Sequence, residues 1–232
     1  MKTTDVLIIG GSAAGMVAAL TGKNSWPEKE FILIKKQKEV MVPCGIPYIF
    51  GTLENSSQNI MPVDNMLEKA GIASLVDEVV MINTDTKVTE LASGKSIKYD
   101  KLVIATGSRP SMPKWLAGGN KKNVFTIPKD KVYIDQMVEQ LKGLKKIVVI
   151  GAGFIGVEFS DELNKKEYEV VLVEKLPDIL GLAFDPELSK RIEEIITKRG
   201  VKIITGNGIK EITGGGSVTG ITLEDGTHLD AN

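Results

Sequence analysis

The feature that leaves this chain least freedom is a repeat. DVLIIG (residues 5–10) is a short apolar run, GGSAAG is a glycine-rich turn, AGMVAALTG has helical character, and FILI (31–34) is a second apolar run. The same order returns as KKIVVIG (145–151), GAGFIG, VEFSDELNKK and YEVVLVE (168–174). Strand, glycine turn, helix and strand make a βαβ unit, whose strands are parallel because the helix carries the chain back across the sheet. Two such units predict an α/β fold of two Rossmann-like, doubly wound parallel sheets. With 232 residues, 42% of them hydrophobic, the chain can fill two modest cores without disulfide staples.

The likeness extends past the βαβ units. GIASLVDEVVMIN, a hairpin through VTELASGKSIKYD and the run KLVIATG correspond to GVKIITGNGIKEI and a hairpin through VTGITLEDGTHLD. Each sheet is therefore expected to carry a β-hairpin or meander insertion. Asp100 leads into KLVIATG, whereas the equivalent Asp230 is followed only by Ala231 and Asn232. The expected domains are 1–113 and 114–232, with the last strand of the second cut and the chain a piece of a longer protein.

Charge narrows the partners. Lys and Arg number 29 against 30 Asp and Glu, so no field of one sign draws the molecule to nucleic acid or an anionic membrane. The paired lysines, 35 to 36 among them, are read as solvated, and Trp26, Trp115 and the methionines as packing residues. The N-terminal run is not read as a signal peptide, because Asp5 precedes it and Gly10, Gly11 and Gly15 break it. No apolar stretch of about 20 residues could span a bilayer. A cytoplasmic protein is expected, with no metal site.

The turn GAGFIG meets the full G-x-G-x-x-G pattern. Gly151 permits the turn, Gly153 lets a pyrophosphate reach the backbone, and Gly156 lets helix and strand approach, with Phe154 and Ile155 at the helix start. Glu174 ends the next strand, where its carboxylate can accept from both ribose hydroxyls and would repel a 2'-phosphate. NADH is favoured over NADPH, although Lys175 beside it pulls the other way. A tight turn without a ligand is the alternative. In the first turn, formed by Gly10, Gly11, Ser12, Ala13, Ala14 and Gly15, Ser12 replaces the second glycine. Lys35, followed by Lys36, stands where a ribose carboxylate is expected, and lysine cannot accept a hydrogen bond. Contacts to a charged acceptor contribute about 1.5–3 kcal/mol each, so adenosine binding there should weaken unless another group substitutes.

Cys44, the only cysteine, lies in VMVPCGIPYIFG (40–51). A single thiol can serve redox chemistry when its partner is external, alternating with a mixed disulfide, a persulfide or a sulfenic acid. A helix beginning at Cys44 would put Pro47 in its first turn and aim free N–H groups at the sulfur. The alternative is a buried cysteine acting as a small hydrophobe.

Taken in order, GGSAAG, PCGIPYIFG, YDKLVIATGSRP and GAGFIGVE with Glu174 resemble the pyridine nucleotide-disulfide oxidoreductases. Within them the likeness is to the single-cysteine branch of coenzyme A-disulfide reductases, NADH oxidases and persulfide reductases. The resemblance covers essentially the whole chain and implies an FAD domain interrupted by an NAD domain, with Cys44 near the flavin. It also implies that Ala105, Thr106 and Gly107 begin the loop crossing between domains. Glu158 would lie near nicotinamide and flavin or be a solvated helix residue, and Arg109 would contact flavin phosphate or ribose or form a surface ion pair. Val79 or Val80 would lie beside the adenine through its backbone, or be a buried strand valine. Ala13 stands where some members carry a histidine, and His228, the sole histidine, is expected to be an exposed hairpin residue. A later FAD-binding motif and a dimerisation domain would fall beyond residue 232, making the full-length form a homodimer. The implied function is electron transfer from NADH through FAD to Cys44, which reduces a small disulfide or persulfide such as coenzyme A disulfide. An NADH oxidase and a non-catalytic nucleotide-binding fragment are the alternatives.

Overall fold

A computed structural model describes residues 1–232, which divide into two compact units. The first comprises Met1–Cys44, Asn59–Arg109 and Lys129–Lys131, and the second Gly45–Gln58, Pro110–Pro128 and Val132–Asn232.

The first unit runs β1 (Lys2–Ile9), α1 (Ala13–Ser25), β2 (Phe31–Lys35), β3 (Val40–Met41), β4 (Ile60–Met61), α2 (Val63–Lys69), β5 (Ala73–Val76), β6 (Val79–Asn83), β7 (Val88–Leu91) and β8 (Ser96–Ile104). Six strands form one sheet in the order β5-β2-β1-β8-β7-β6. The pairs among β5, β2, β1 and β8 are parallel, and those among β8, β7 and β6 antiparallel. All five residues of β2 are buried, as expected of a strand covered on both faces. The pleat sends Ile8 and Leu33 toward Met16, Ala19 and Leu67, and Leu7, Ile9, Ile32 and Ile34 toward Leu91, Ile97 and Tyr99. Strand β1 begins earlier than the apolar run suggests, because Lys2–Thr4 pair with Ile97–Tyr99 of the long β8.

In the second unit the order is α3 (Lys131–Leu141, whose first residue groups with the first unit), β9 (Lys146–Ile150), α4 (Phe154–Asn164), β10 (Glu169–Val173), α5 (Pro186–Lys198), β11 (Lys202–Ile204), β12 (Ile209–Thr213), β13 (Gly220–Leu223) and β14 (His228–Asp230). The parallel sheet β11-β10-β9 is separate from the antiparallel β12-β13-β14 meander. Val173, Ile209, Ile212, Ile221 and Leu223 share one core that bridges them. Asp185 caps α5, accepting from the Leu188 N–H at 2.9 Å, with Pro186 at the first helical position. Beyond β14, the Asn232 N–H donates to the Lys146 carbonyl at 3.1 Å.

Both units therefore contain the parallel α/β sheets that the repeat predicts. His228 is exposed in its hairpin, as expected. Trp26 and Trp115 are not packing residues: they are 57% and 67% exposed. No helix is long and apolar enough to cross a membrane.

The tightest feature of each unit is helix against turn. A Cβ at Gly15 would overlap the Gly10 carbonyl oxygen, and one at Gly156 the Gly151 carbonyl oxygen. Gly156→Ala is expected to lower unfolding free energy by about 1–3 kcal/mol or more, the usual cost of overpacking. Gly215→Ala, where a Cβ meets nothing within 4 Å, is expected to change it by about 0.5 kcal/mol or less. Urea unfolding of the two variants checks the contrast.

Candidate functional site

The second glycine turn joins the C-terminal end of β9 to α4. Gly151 has φ +95°, a conformation open to glycine, and its N–H donates to the Val173 carbonyl at 2.8 Å. At Gly153 a Cβ would meet nothing within 4 Å, so the backbone there is open to approach. No side chain caps α4 and no acid lies in its first turn, which leaves its N-terminal N–H groups available to an anion. The Glu174 carboxylate accepts from the Ala152 N–H at 2.7 Å and from the Leu176 N–H at 2.8 Å. Two backbone donors thus hold the acid against the turn, with lone pairs left for hydroxyl donors. Lys175 is exposed and pairs with Glu224 at 2.9 Å. Glu158 is exposed on α4, as are Phe154 and Ile155.

Sequence reasoning missed one part of this site. The Leu180 N–H donates to the Ala152 carbonyl at 2.8 Å, and the Phe184 ring stands edge-on to Phe154 with centroids 5.7 Å apart. The segment LPDILGLAFDP has neither helical nor strand periodicity, so only its density of turn residues hinted at an ordered loop.

The first turn has the same backbone plan. Gly10 has φ +116°, its N–H donates to the Ile34 carbonyl, and the Ala105 N–H donates to the Ile9 carbonyl, both at 2.8 Å. Gly10, Gly11, Gly15, Lys35 and Ala105 are thereby gathered at the C-terminal ends of β1, β2 and β8. Ser12 makes no capping bond, and Ala13 and Ala14 are exposed in the first turn of α1.

Lys35 departs from expectation. It is not solvated: its side chain is 2% exposed, and Nζ lies 2.8 Å from Asp64 Oδ2 and 2.7 Å from the Lys38 carbonyl oxygen. Gly11 leaves room for it, since a Cβ there would lie 2.9 Å from the Lys35 Cβ. Asp64 also accepts from Ser74 Oγ at 2.8 Å. The hydrogen bond from Lys35, with that from Ser74, holds the Asp64 carboxyl below its ordinary range. Lys36 is exposed and pairs with Glu78 at 2.7 Å. Val80 is 60% exposed beside a bulge in β6, whereas Val79 is partly buried against the core that holds Leu91 and Ile97. Thr106, Gly107 and Arg109 are exposed.

Cys44 is exposed, so it is not a buried hydrophobe. The helix expected to begin there is absent. Two short 3-10 turns, Pro43–Gly45 and Pro47–Phe50, stand in its place, and single turns carry no macrodipole to aim at the sulfur. The flanks are held instead by burial of Ile46, Pro47, Ile49 and Phe50 on one side. On the other, the Val42 N–H donates to the Asn59 carbonyl and Asn59 Nδ2 to the Val42 carbonyl, both at 3.0 Å.

Residues 4–232 match the model of the pyridine nucleotide-disulphide oxidoreductases. The chain belongs to this family. It is 34% identical over 199 residues to the NAD(P)H coenzyme A polysulfide/persulfide reductase of Pyrococcus horikoshii, covering 83% of this chain and 44% of that one. It is 29% identical over 205 residues to an NADH oxidase of Methanocaldococcus jannaschii, covering 84% and 45%. The chain thus spans less than half the length of these two relatives. Among solved structures, a ferredoxin reductase from Rhodopseudomonas palustris superposes with a TM-score of 0.89 at 26% identity, over all of this chain and 57% of that one.

Membership in the pyridine nucleotide-disulphide oxidoreductases implies FAD and a pyridine nucleotide as cofactors. The uncapped starts of α1 and α4 fit their phosphates, and Glu174 fits a ribose. Lys35 does not fit a ribose, because its ammonium is already engaged with Asp64.

Two outcomes follow from these contacts. Asp64→Asn is expected to cost about 1–3 kcal/mol by leaving the buried Lys35 ammonium without its countercharge. The Asp64 pair contributes fully above the ordinary carboxyl value of 3.8 and fades as pH falls through the lowered folded value. The wild-type advantage over Asp64→Asn in urea unfolding should therefore shrink on acidification below about pH 4. Gly153→Ala should leave stability within about 0.5 kcal/mol but weaken NADH binding, read by titration of nucleotide fluorescence.

Proposed function

We propose that this chain carries the nucleotide-binding and thiol-bearing parts of an NADH-dependent flavoprotein that reduces a small disulfide or persulfide, such as coenzyme A disulfide. The observation that supports the reading most is the exposed Cys44 on a segment anchored from both flanks, in a unit that also holds one of the two glycine turns. A relative of 34% identity named for coenzyme A, polysulfide and persulfide reduction points the same way. Residues 1–113 would serve FAD and 114–232 NADH, one glycine turn to each, with Arg109, the backbone near Val80 and Glu158 contributing contacts to the bound cofactors.

When bound, FAD supplies the electron route from NADH to sulfur. The protein's own part is to present the thiolate. Cys44 Sγ attacks one substrate sulfur, the S–S bond breaks, and the leaving thiolate takes up a proton as the mixed disulfide forms. Two electrons then return Cys44 to the thiolate and release the second thiol. Glu174, held by two backbone N–H groups, accepts from ribose hydroxyls and disfavours a 2'-phosphate, which selects NADH over NADPH. An unpaired redox thiol suits a reducing, cytoplasmic compartment. The full-length form would be a homodimer acting on small molecules rather than on nucleic acid or membrane.

The relative named NADH oxidase supports a second reading, in which oxygen is the acceptor and Cys44 cycles through a sulfenic acid. Anaerobic NADH titration of the full-length protein's flavin absorbance, followed by coenzyme A disulfide, polysulfide or oxygen, separates the readings by which acceptor restores the band. Cys44→Ser is expected to abolish disulfide reduction and spare flavin reduction by NADH. Disulfide turnover surviving in that variant would remove the thiol from the mechanism.

A further inference from the structure

Glu162 belongs to neither glycine turn, yet its side chain is only 4% exposed on α4. A buried carboxylate is costly unless it is fully partnered. Here Oε1 accepts from Lys165 Nζ at 2.6 Å and Oε2 from Thr52 Oγ1 at 2.7 Å, while Lys165 Nζ reaches the same hydroxyl at 3.0 Å. The three groups close a triangle between α4 and the segment that follows Cys44.

Packing agrees with that triangle. A Cβ at Gly51 would overlap the Glu162 carbonyl and carboxylate oxygens, so only glycine lets the segment lie this close to the helix. Phe50 and Phe159 meet edge-on with centroids 4.6 Å apart, and Ser56 Oγ donates to Asp135.

The anchor reaches back toward the thiol. The N–H groups of Thr52 and Leu53 donate to the Tyr48 carbonyl at 2.9 and 2.7 Å, and the Ile49 N–H donates to the Ile46 carbonyl at 3.1 Å. Hydrogen bonds thus join Glu162 to Thr52 and Thr52 to Tyr48, and Ile49, next in the chain, donates to Ile46, two residues after Cys44. On the other flank Asn59 holds Val42, two residues before it. Cys44 therefore has an anchored residue two positions away on each side, Val42 before it and Ile46 after it.

We infer that Glu162 is a positioning residue for Cys44: by gripping Thr52 it holds the segment after Cys44 on α4 and fixes the thiol for attack on substrate sulfur. The inference rests on the reading of Cys44 as the reactive thiol. Buried ion pairs are weak evidence for stability, and a role in fixing one arrangement is the better-supported use of such a group.

The test uses the first chemical step alone, which needs no cofactor. Mass spectrometry of the intact chain measures the rate at which Cys44 forms a mixed disulfide with coenzyme A disulfide, at a temperature where circular dichroism shows each variant folded. Thr52→Val removes one hydroxyl and leaves the Glu162–Lys165 pair. Glu162→Gln keeps an acceptor for Thr52, and Glu162→Leu keeps none. Thr52→Val and Glu162→Leu should react about ten- to a hundredfold more slowly, the order expected when a reacting group is misplaced by about 1 Å. Both should show faster amide exchange across 45–58, and Glu162→Gln should stay within about threefold of wild type. If Glu162→Leu does not fold, Thr52→Val decides. A folded Thr52→Val that reacts at the wild-type rate, or a Glu162→Gln as slow as the leucine variant, would overturn the inference. Failure of the redox reading looks different: Cys44→Ser would keep turning over disulfide while the exchange rates still followed Glu162.

Discussion

The structure depends on one backbone contact made twice. In each unit the first turn of a helix lies so close to the preceding strand end that a single methyl group would overlap a carbonyl oxygen, at Gly15 against Gly10 and at Gly156 against Gly151. This approach lets α1 and α4 start directly above the parallel strands, with their uncapped N–H groups at the sheet's C-terminal edge. The βαβ crossover, the burial of β2 on both faces and the opening for an anion all follow from it.

Built on the same plan, the two turns part at the end of the following strand. Glu174 turns back to its glycine turn and accepts the Ala152 N–H, so that the acid and turn form one rigid unit. The equivalent Lys35 turns away, and its ammonium is buried between Asp64 and the Lys38 carbonyl. One strand end is thus shaped to receive hydroxyl donors, and the other ties β2 to α2. If FAD occupies the first turn, its adenosine must be held by groups other than a β2 carboxylate.

Cys44 gains its setting from a loop rather than from a helix. Short 3-10 turns offer no field comparable to an α-helix terminus, so the thiol's environment is built by anchoring its two flanks. Asn59 serves the flank before it, and the buried residues Ile46, Pro47, Ile49 and Phe50 the flank after it. A thiol on a segment held this way owes its setting to side chains distant in sequence.

What could be read from the sequence was local. Two apolar runs flanking a glycine turn specify a βαβ unit, Gly151 and Gly156 announce a tight turn and close packing, and Glu174 closes the second strand at the expected place. Pro43, Gly45 and Pro47 marked the thiol as lying in a shaped segment. Tertiary structure alone decided the fate of Lys35, which looked like half of a solvated pair until Asp64, 29 residues away, buried it. It also decided the absence of a helix at Cys44 and the partnership of Glu162 with Thr52, 110 residues apart. Periodicity and turn chemistry act over a few neighbouring residues and leave their mark on composition. A buried charge and its distant partner leave none, because either residue alone reads as an ordinary polar surface position.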